Sequence, residues 1–249
     1  MSIVLKAKNV SKTYAKAPYP SLHDVTFDIG EGEFIGIMGA SGSGKTTLLN
    51  VLSTIDSPTG GEIWINSINL RNLRKADAAD FRRDHLGFIF QEYFLLESLT
   101  IRENISVPLT LKKLPPNKIE TMVQNLAKRF GIAAQLDKYP NELSGGQRQR
   151  ASTARAIVKK PSILFADEPT GALDSSSATE LLRTLKEANE ELHTTILMVT
   201  HDPYAASFAG RILIFKDGCI LQELSRAGCG RQEFYHSVVR EISKLDTRR

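Results

Sequence analysis

Eight consecutive residues in the first fifth of the chain have a pattern that binds phosphate. The run Gly39-Ala40-Ser41-Gly42-Ser43-Gly44-Lys45-Thr46 fits G-x-x-x-x-G-K-[ST] and lies between a predicted strand and a helix opened by Thr46-Thr47. Its backbone amides and the positive end of that helix attract phosphate oxygens. We expect Lys45 to reach the β- and γ-phosphates and the Thr46 hydroxyl to ligate Mg²⁺. The pattern therefore predicts a nucleoside-triphosphate site.

An acidic pair, Asp167-Glu168, follows the apolar run of residues 163–166. In nucleotide hydrolases an Asp at the end of such a strand holds Mg²⁺. A neighbouring carboxylate can take a proton from the attacking water. We assign Asp167 to the metal and Glu168 to the general base. Without the phosphate loop, the same pair would be equally typical of a strand that leaves the core.

A second stretch of small residues, Ser144-Gly145-Gly146-Gln147, precedes a helix predicted over 147–158. Small residues let backbone amides approach a phosphate, and the helix dipole favours its negative charge. The chain thus has two predicted anion sites, about a hundred residues apart. His201 ends another apolar run, 195–200, and a residue at the carboxyl end of a parallel strand faces the ligand crevice.

With Leu143, the second stretch reads LSGGQ, the signature of ATP-binding cassette (ABC) proteins. Because all the motifs occur in family order over nearly the whole chain, the chain resembles the ATPase subunit of an ABC transporter. The resemblance implies that ATP is bound with Mg²⁺ and hydrolysed. It also implies a homodimer, in which each ATP lies between the phosphate loop of one copy and the signature of the other. Asp174 corresponds to the loop that crosses this interface.

The same resemblance gives roles to three further residues. Tyr14 would stack on the adenine ring, with Tyr19 as a weaker competitor. Gln91 would contact the metal or the attacking water and link the core to a helical subdomain. His201 would sense the γ-phosphate. The aromatic residues Tyr93 and Phe94, which follow Gln91, are compatible either with the core or with a groove that receives a permease helix.

The pattern of apolar residues predicts an α/β fold. The predicted architecture is a P-loop NTPase (RecA-like) core with a mostly parallel sheet, an N-terminal antiparallel β-subdomain and an inserted α-helical subdomain. Continuous apolar runs indicate strands buried on both faces. Apolar residues spaced three and four apart indicate a helix, at Ile119, Met122, Val123, Leu126 and Phe130.

These elements form one predicted nucleotide-binding domain over residues 1–249. Its core comprises 1–91 and 161–225, the helical subdomain comprises 92–160, and a C-terminal tail covers 226–249.

Composition limits the classes of function that remain. The chain has 249 residues, 41% of them hydrophobic, and a formal charge of +4. Its basic residues are scattered, so no nucleic-acid partner is predicted. The two cysteines lack the spacing of a disulfide or zinc framework. No apolar run reaches the length of a membrane span, and no signal peptide is recognisable. We therefore expect a soluble bacterial protein, peripheral on the cytoplasmic face of the membrane, with a separate permease.

Longer stretches point to a subgroup. The phosphate loop, the segment ending at Gln91 and the segment from Asp167 to Asp174 resemble ATPases of lipoprotein release, macrolide efflux and cell division. The tail over residues 228–235 resembles that of bacitracin- and lantibiotic-resistance ATPases, many of which signal through a histidine kinase. The sequence thus predicts a peptide-antibiotic detoxification ATPase.

Three alternatives to that function remain. The first is the ATPase of another envelope system. The second is a soluble ABC ATPase of DNA repair or translation, although the chain lacks the long coiled coils or second cassette of such proteins. The third is a non-hydrolysing switch, against which Glu168 and His201 argue.

Overall fold

The structure is a computed structural model that describes residues 2–15 and 18–246. Within these residues, ten β-strands form two sheets that are flanked by eight α-helices, numbered in chain order. The helices are α1 (Lys45–Leu52), α2 (Lys75–His85), α3 (Ile101–Leu111), α4 (Pro116–Arg129), α5 (Gly145–Ile157), α6 (Ser175–Leu192), α7 (Pro203–Ala206) and α8 (Arg231–Asp246).

The smaller sheet is antiparallel and has four strands. In spatial order they are β2 (Leu22–Gly30), β1 (Ile3–Lys12), β4 (Gly60–Ile65) and β5 (Ile68–Asn69). Along the second half of β2, buried Val25, Phe27 and Ile29 alternate with exposed polar residues, as expected for a strand with one solvated face. The predicted N-terminal antiparallel subdomain is therefore confirmed.

The larger sheet has six strands, and all but the edge strand β10 run parallel. In spatial order they are β10 (Cys219–Ser225), β9 (Arg211–Lys216), β3 (Phe34–Met38), β8 (Ile196–Thr200), β7 (Ile163–Asp167) and β6 (Leu86–Ile89). All five residues of β8 are buried. Ile196 and Met198 join the core on one face of the sheet, whereas Leu197 and Val199 join the core on the other. The expected mostly parallel, doubly covered sheet is confirmed.

Three α-helices lie between β6 and β7, in the stretch predicted to be a helical subdomain (92–160). They are α3, α4 and α5, which pack against one another. The α5 helix also contacts β6 and therefore joins this insertion to the core. Just beyond α5, Lys159 Nζ donates to the carbonyl oxygens of Arg82 and Arg83 at 3.1 and 2.5 Å, at the end of α2. Burial lowers the pKa of Lys159 to about 8.

The region predicted as a tail, 226–249, contains the α8 helix. Phe234 and Val238 on α8 are buried in the core. The Arg231 guanidinium lies over the rings of Tyr204 and Phe208, 4.9 and 4.6 Å from their centroids. The α8 helix is thus fastened to α7, the short helix that begins two residues after His201.

Among residues 2–15 and 18–246, no helix combines the length and the apolar character needed to cross a membrane.

Candidate nucleotide-binding site

The phosphate loop connects β3 to α1, and two of its glycines are required by close contacts. A Cβ atom on Gly39 would lie 2.1 Å from the carbonyl oxygen of Phe215. Gly44 has a φ of +102°, and a Cβ atom there would lie 2.5 Å from the carbonyl oxygen of Ser21. The loop is therefore held against β9 and the start of β2 by backbone contacts that only glycine permits.

A cavity of about 1050 Å³ opens beside this loop. Six separate parts of the described chain contribute to its wall, and the phosphate loop is the longest of them. The lining residues are Tyr19, Pro20, Ser21, Ala40, Ser41, Gly42, Ser43, Gly44, Lys45, Thr46, Thr47, Gln91, Glu168, His201, Asp217 and Gly218. The fold thus brings Gln91, Glu168 and His201 to the phosphate loop, as the sequence predicts.

The structure separates the two candidates for the adenine contact. Tyr19 lines the cavity, whereas Tyr14 is not among the described lining residues. The Lys12 ammonium lies 4.9 Å from the centre of the Tyr14 ring and pairs with Asp56. The geometry therefore favours Tyr19, the weaker candidate on sequence grounds, over Tyr14. The residues between them, 16 and 17, lie outside the described part of the chain.

The two residues assigned to the hydrolytic step lie at the ends of adjacent parallel strands. Glu168 follows β7 and His201 follows β8, and the His201 Nδ1 to Glu168 Oε1 distance is 2.9 Å. Glu168 has a φ of 47°, a left-handed conformation that is uncommon for residues with a side chain. Such a conformation costs about 1–3 kcal/mol and persists where the surroundings impose it, often at functional sites.

Charges at the site influence one another. Burial lowers the pKa of Lys45, although the negative charges of Glu168 and Asp167 act in the opposite direction. Burial and the neighbouring Glu168 raise the pKa of Asp167, and Lys45 opposes this shift. Lys45 Nζ also donates to the carbonyl oxygens of Gly39 and Ala40, at 2.8 and 2.7 Å. The site therefore has a lysine and two acidic residues close enough for their charges to interact.

The donor set fits Mg²⁺. Thr46 and Gln91 line the cavity, and Asp167 precedes Glu168. Hydroxyl, amide and carboxylate oxygens are hard ligands, and Mg²⁺ is usually held by one or two carboxylates together with substrate phosphates. Within the described residues, no cluster of three or more His, Cys, Asp or Glu side chains forms a metal site. A Mg²⁺ ion here would depend on the nucleotide for the rest of its coordination.

The signature residues form a well-capped helix start away from this cavity. The Ser144 hydroxyl accepts from the Gln147 amide at 3.3 Å, and the Gln147 side chain accepts from the Ser144 amide at 3.1 Å. This reciprocal capping box leaves Gly145 and Gly146 in the first turn of α5. None of these residues is among the described residues lining the cavity. The two predicted anion sites therefore do not meet within one chain.

Asp174 has a local structural role in addition to the one implied by the family. Its Oδ1 accepts from the amides of Ser176 and Ser177, each at 3.0 Å, and its Oδ2 accepts from the Ser177 hydroxyl at 2.7 Å. These hydrogen bonds, led by that from the Ser177 hydroxyl, lower the pKa of Asp174. Asp174 therefore caps α6 as an ionised carboxylate.

Asp217 and Gly218 also form part of the cavity wall, and the sequence did not single them out. They form the turn between β9 and β10, and the Gly218 amide donates to the carbonyl oxygen of Ser43 at 2.9 Å. The only signal in the sequence is an Asp-Gly turn after an apolar run, which is common at any hairpin. Their contact with the phosphate loop depends on β9 pairing with β3.

Comparison with known proteins agrees with this geometry. The profile of the family described as "ABC transporter" matches residues 22–171, which is more than half of the chain. The bacitracin export ATP-binding protein BceA of Halalkalibacterium halodurans is 49% identical over 239 residues, covering 95% of this chain and 94% of BceA.

Two further proteins are similar at about 40% identity. The macrolide export ATP-binding/permease protein MacB 2 of Yersinia pestis is 40% identical over 226 residues, which cover 90% of this chain but 33% of MacB 2. A dimeric, post-hydrolysis structure of the cassette MJ0796 from Methanocaldococcus jannaschii contains ADP and Pi. It has a TM-score of 0.80 and 39% identity, and the match covers 89% of this chain and 98% of that one.

Proposed function

We propose that this chain, which belongs to the ABC transporter family and is an ATP-binding, ATP-hydrolysing subunit, powers a separate membrane permease that removes peptide antibiotics of the bacitracin or lantibiotic type. The observation that carries the antibiotic part is the 49% identity to the bacitracin export protein over 95% of the chain. The tail over residues 228–235, which resembles that of such resistance ATPases, supports it.

At the site, we assign the chemistry to residues that line or adjoin the cavity. Lys45 and the amides of the phosphate loop hold the β- and γ-phosphates. Thr46, Gln91 and Asp167 hold Mg²⁺, which when bound offsets the negative charge of the phosphates. Glu168 accepts the proton of the attacking water, while His201, 2.9 Å from its carboxylate, orients it and senses the γ-phosphate.

The complete site is formed by two copies of the chain. The signature at the start of α5 is a second anion site. Within one chain, none of its residues is among the described residues that line the cavity. In a two-fold dimer, the signature of each copy covers the ATP held by the phosphate loop of the other, and Asp174 lies at the junction. The relative MJ0796 forms a dimer in its structure with ADP and Pi, which supports this arrangement.

The permease contacts the loop after Gln91. The apolar side chains of Phe94 and Leu96 are 59% and 49% exposed instead of being buried in the core. A pair of exposed apolar side chains next to a catalytic loop suits a partner helix that responds to the nucleotide. This partner places the chain on the cytoplasmic face of a bacterial membrane, and a sensor histidine kinase would be reached through the permease.

A second candidate is the ATPase of a macrolide-efflux, lipoprotein-release or cell-division system. The 40% identity to MacB 2 favours it, although in that relative the name assigns ATP-binding and permease parts to one protein. The two candidates share the ATPase site and differ in substrate.

The experiment is a sensitivity test in cells that express the chain together with its permease. Lys45→Ala removes the phosphate contact and should abolish resistance to at least one cell-wall-active peptide. An exposed control on α6, Glu187→Gln, should leave resistance intact. Loss of macrolide resistance with unchanged peptide sensitivity would support the second candidate instead.

A further inference from the structure

A fully buried polar side chain connects the signature helix to both catalytic loops. Gln149 lies on α5, two residues after the signature, and none of its surface is exposed. Its Nε2 donates to the carbonyl oxygen of Phe90 at 3.2 Å and to that of Pro169 at 2.9 Å. A carbonyl oxygen can only accept, so these two partners fix the orientation of the amide. Phe90 immediately precedes Gln91, and Pro169 immediately follows Glu168.

Two other side chains of α5 hold only one of these loops. Ser152 Oγ donates to the carbonyl oxygen of Tyr93 at 2.9 Å. The Arg155 guanidinium donates to the carbonyl oxygens of Phe94 and Tyr93 at 2.6 and 3.0 Å. These contacts fasten the loop after Gln91 to the helix without reaching the loop of Glu168. Gln149 differs because its single amide group touches both.

The Gln149 amide pairs through its donor nitrogen alone. The Oε1 atom of Gln149 is buried and has no hydrogen-bond partner among the described residues. A buried acceptor left without a donor costs about 1–3 kcal/mol. The side chain nevertheless keeps both of its donor hydrogens directed at the two loops.

We propose that Gln149 is a positioning residue for ATP hydrolysis, which links the signature to Gln91 and Glu168. The α5 helix is 13 residues long and moves as one element, so a shift of its first turn also displaces Gln149. When the ATP of the second copy engages the signature, the two loops therefore move together with α5. This inference rests on the roles proposed above for Gln91 and Glu168, and on the two-copy site.

The test compares Gln149→Met with Thr153→Val in ATPase assays over a range of Mg-ATP concentrations. Thr153 is a matched control because it is also buried on α5, and its hydroxyl donates only to the Gln149 carbonyl oxygen within the helix, at 2.8 Å. Displacement of reacting groups by a fraction of an ångström lowers kcat, and we expect a loss of about tenfold for Gln149→Met. The KM for ATP should change less than twofold, since the phosphate loop is untouched. Thr153→Val should keep the wild-type kcat.

Two results would overturn the proposal: a kcat for Gln149→Met within twofold of wild type, or an equal loss of kcat in both variants. Should Gln149→Met fail to fold, hydrogen–deuterium exchange on the Glu168→Gln chain gives an independent measurement. Mg-ATP should then protect the signature, the 90–94 loop and the 168–171 loop together. Protection of the signature without the two loops would refute the linkage.

The same experiments separate this proposal from the assignment on which it rests. If Glu168→Gln hydrolyses ATP at the wild-type rate, the role of Glu168 is refuted, whatever Gln149 does. If Glu168→Gln is inactive and Gln149→Met is fully active, only the linkage fails.

Discussion

Replacing Glu168 by Gln tests the hydrolytic assignment and the two-copy site in one protein. The substitution keeps the size of the side chain, and an amide at this position can still form a hydrogen bond with His201, now 2.9 Å from the carboxylate. It removes the proton acceptor, and loss of a general base lowers kcat by about 10²–10⁴-fold. At 1.36 kcal/mol per factor of ten, this corresponds to a barrier higher by about 3–5 kcal/mol.

ATP binding should survive the same change. In the proposed site, Lys45 and Thr46 would contact the phosphates without the help of Glu168. Glu168 also helps to raise the pKa of Asp167. Removing its charge lowers that pKa, so Asp167 remains ionised for Mg²⁺ at lower pH, and repulsion of the phosphates decreases. We therefore expect ATP to accumulate at the site and to hold two copies together.

The assays are steady-state phosphate release and size-exclusion chromatography with Mg-ATP. The variant should release phosphate at least a hundredfold more slowly than wild type and elute at twice the 27.6 kDa of one chain. Lys45→Ala, which loses the phosphate contact, should remain monomeric under the same conditions. A wild-type rate would refute the role of Glu168. A monomer that nevertheless binds ATP would refute the two-copy site for the isolated subunit.

Three further predictions test other parts of the structure. Tyr19→Ala should weaken binding of fluorescent ATP about tenfold by loss of base stacking, whereas Tyr14→Ala should change it less than twofold. Arg231→Ala, which loses both aromatic contacts, should lower the free energy of urea unfolding by about 1–2 kcal/mol, and the exposed control Arg240→Ala should not. Because burial lowers the pKa of Lys159 from 10.5 to about 8, the folded chain disfavours the charged lysine. The unfolding free energy of wild type should therefore rise relative to Lys159→Met from pH 8 to 10.5, by about 1–2 kcal/mol after allowance for solvent screening. A parallel pH dependence in the two proteins would contradict the Lys159 prediction.

The sequence predicted those parts of the site whose geometry is local. The phosphate loop is a contiguous run, and its flanking strand and helix follow from continuous apolar residues. Glu168 and His201 each end such a strand, and parallel pairing of β7 with β8 brings them together. The family resemblance added Gln91, which follows β6, the neighbour of β7. Each of these positions depends on a strand end, and strand ends are visible in the pattern.

Other features depend on tertiary contacts and left weaker signals. The α2 helix was not predicted because it buries only Phe81 and therefore has no apolar periodicity. The α6 helix was also missed, although Leu181, Leu182 and Leu185 are buried at helical spacing after the Asp174 cap. The choice of Tyr19 over Tyr14 depends on the path of the chain between β1 and β2, which no local pattern fixes.

In the proposed two-copy site, the groups that one chain contributes lie on two different parts of the fold. Gln91, Glu168 and His201 follow β6, β7 and β8, which are neighbours in the sheet, so parallel topology alone brings them to one edge. The signature lies instead at the start of α5, which is one of the inserted helices and does not directly follow a strand of the sheet. In the proposed function, the sheet thus positions the groups that act on the phosphate, while the inserted helices carry the group that recognises a second copy. In the proposed function, such a division would let ATP favour one arrangement of two copies over another, which is the condition for doing work on a permease. It also requires a connection between helix and sheet, and Gln149, with one hydrogen bond to the residue before Gln91 and one to the residue after Glu168, is placed to supply it.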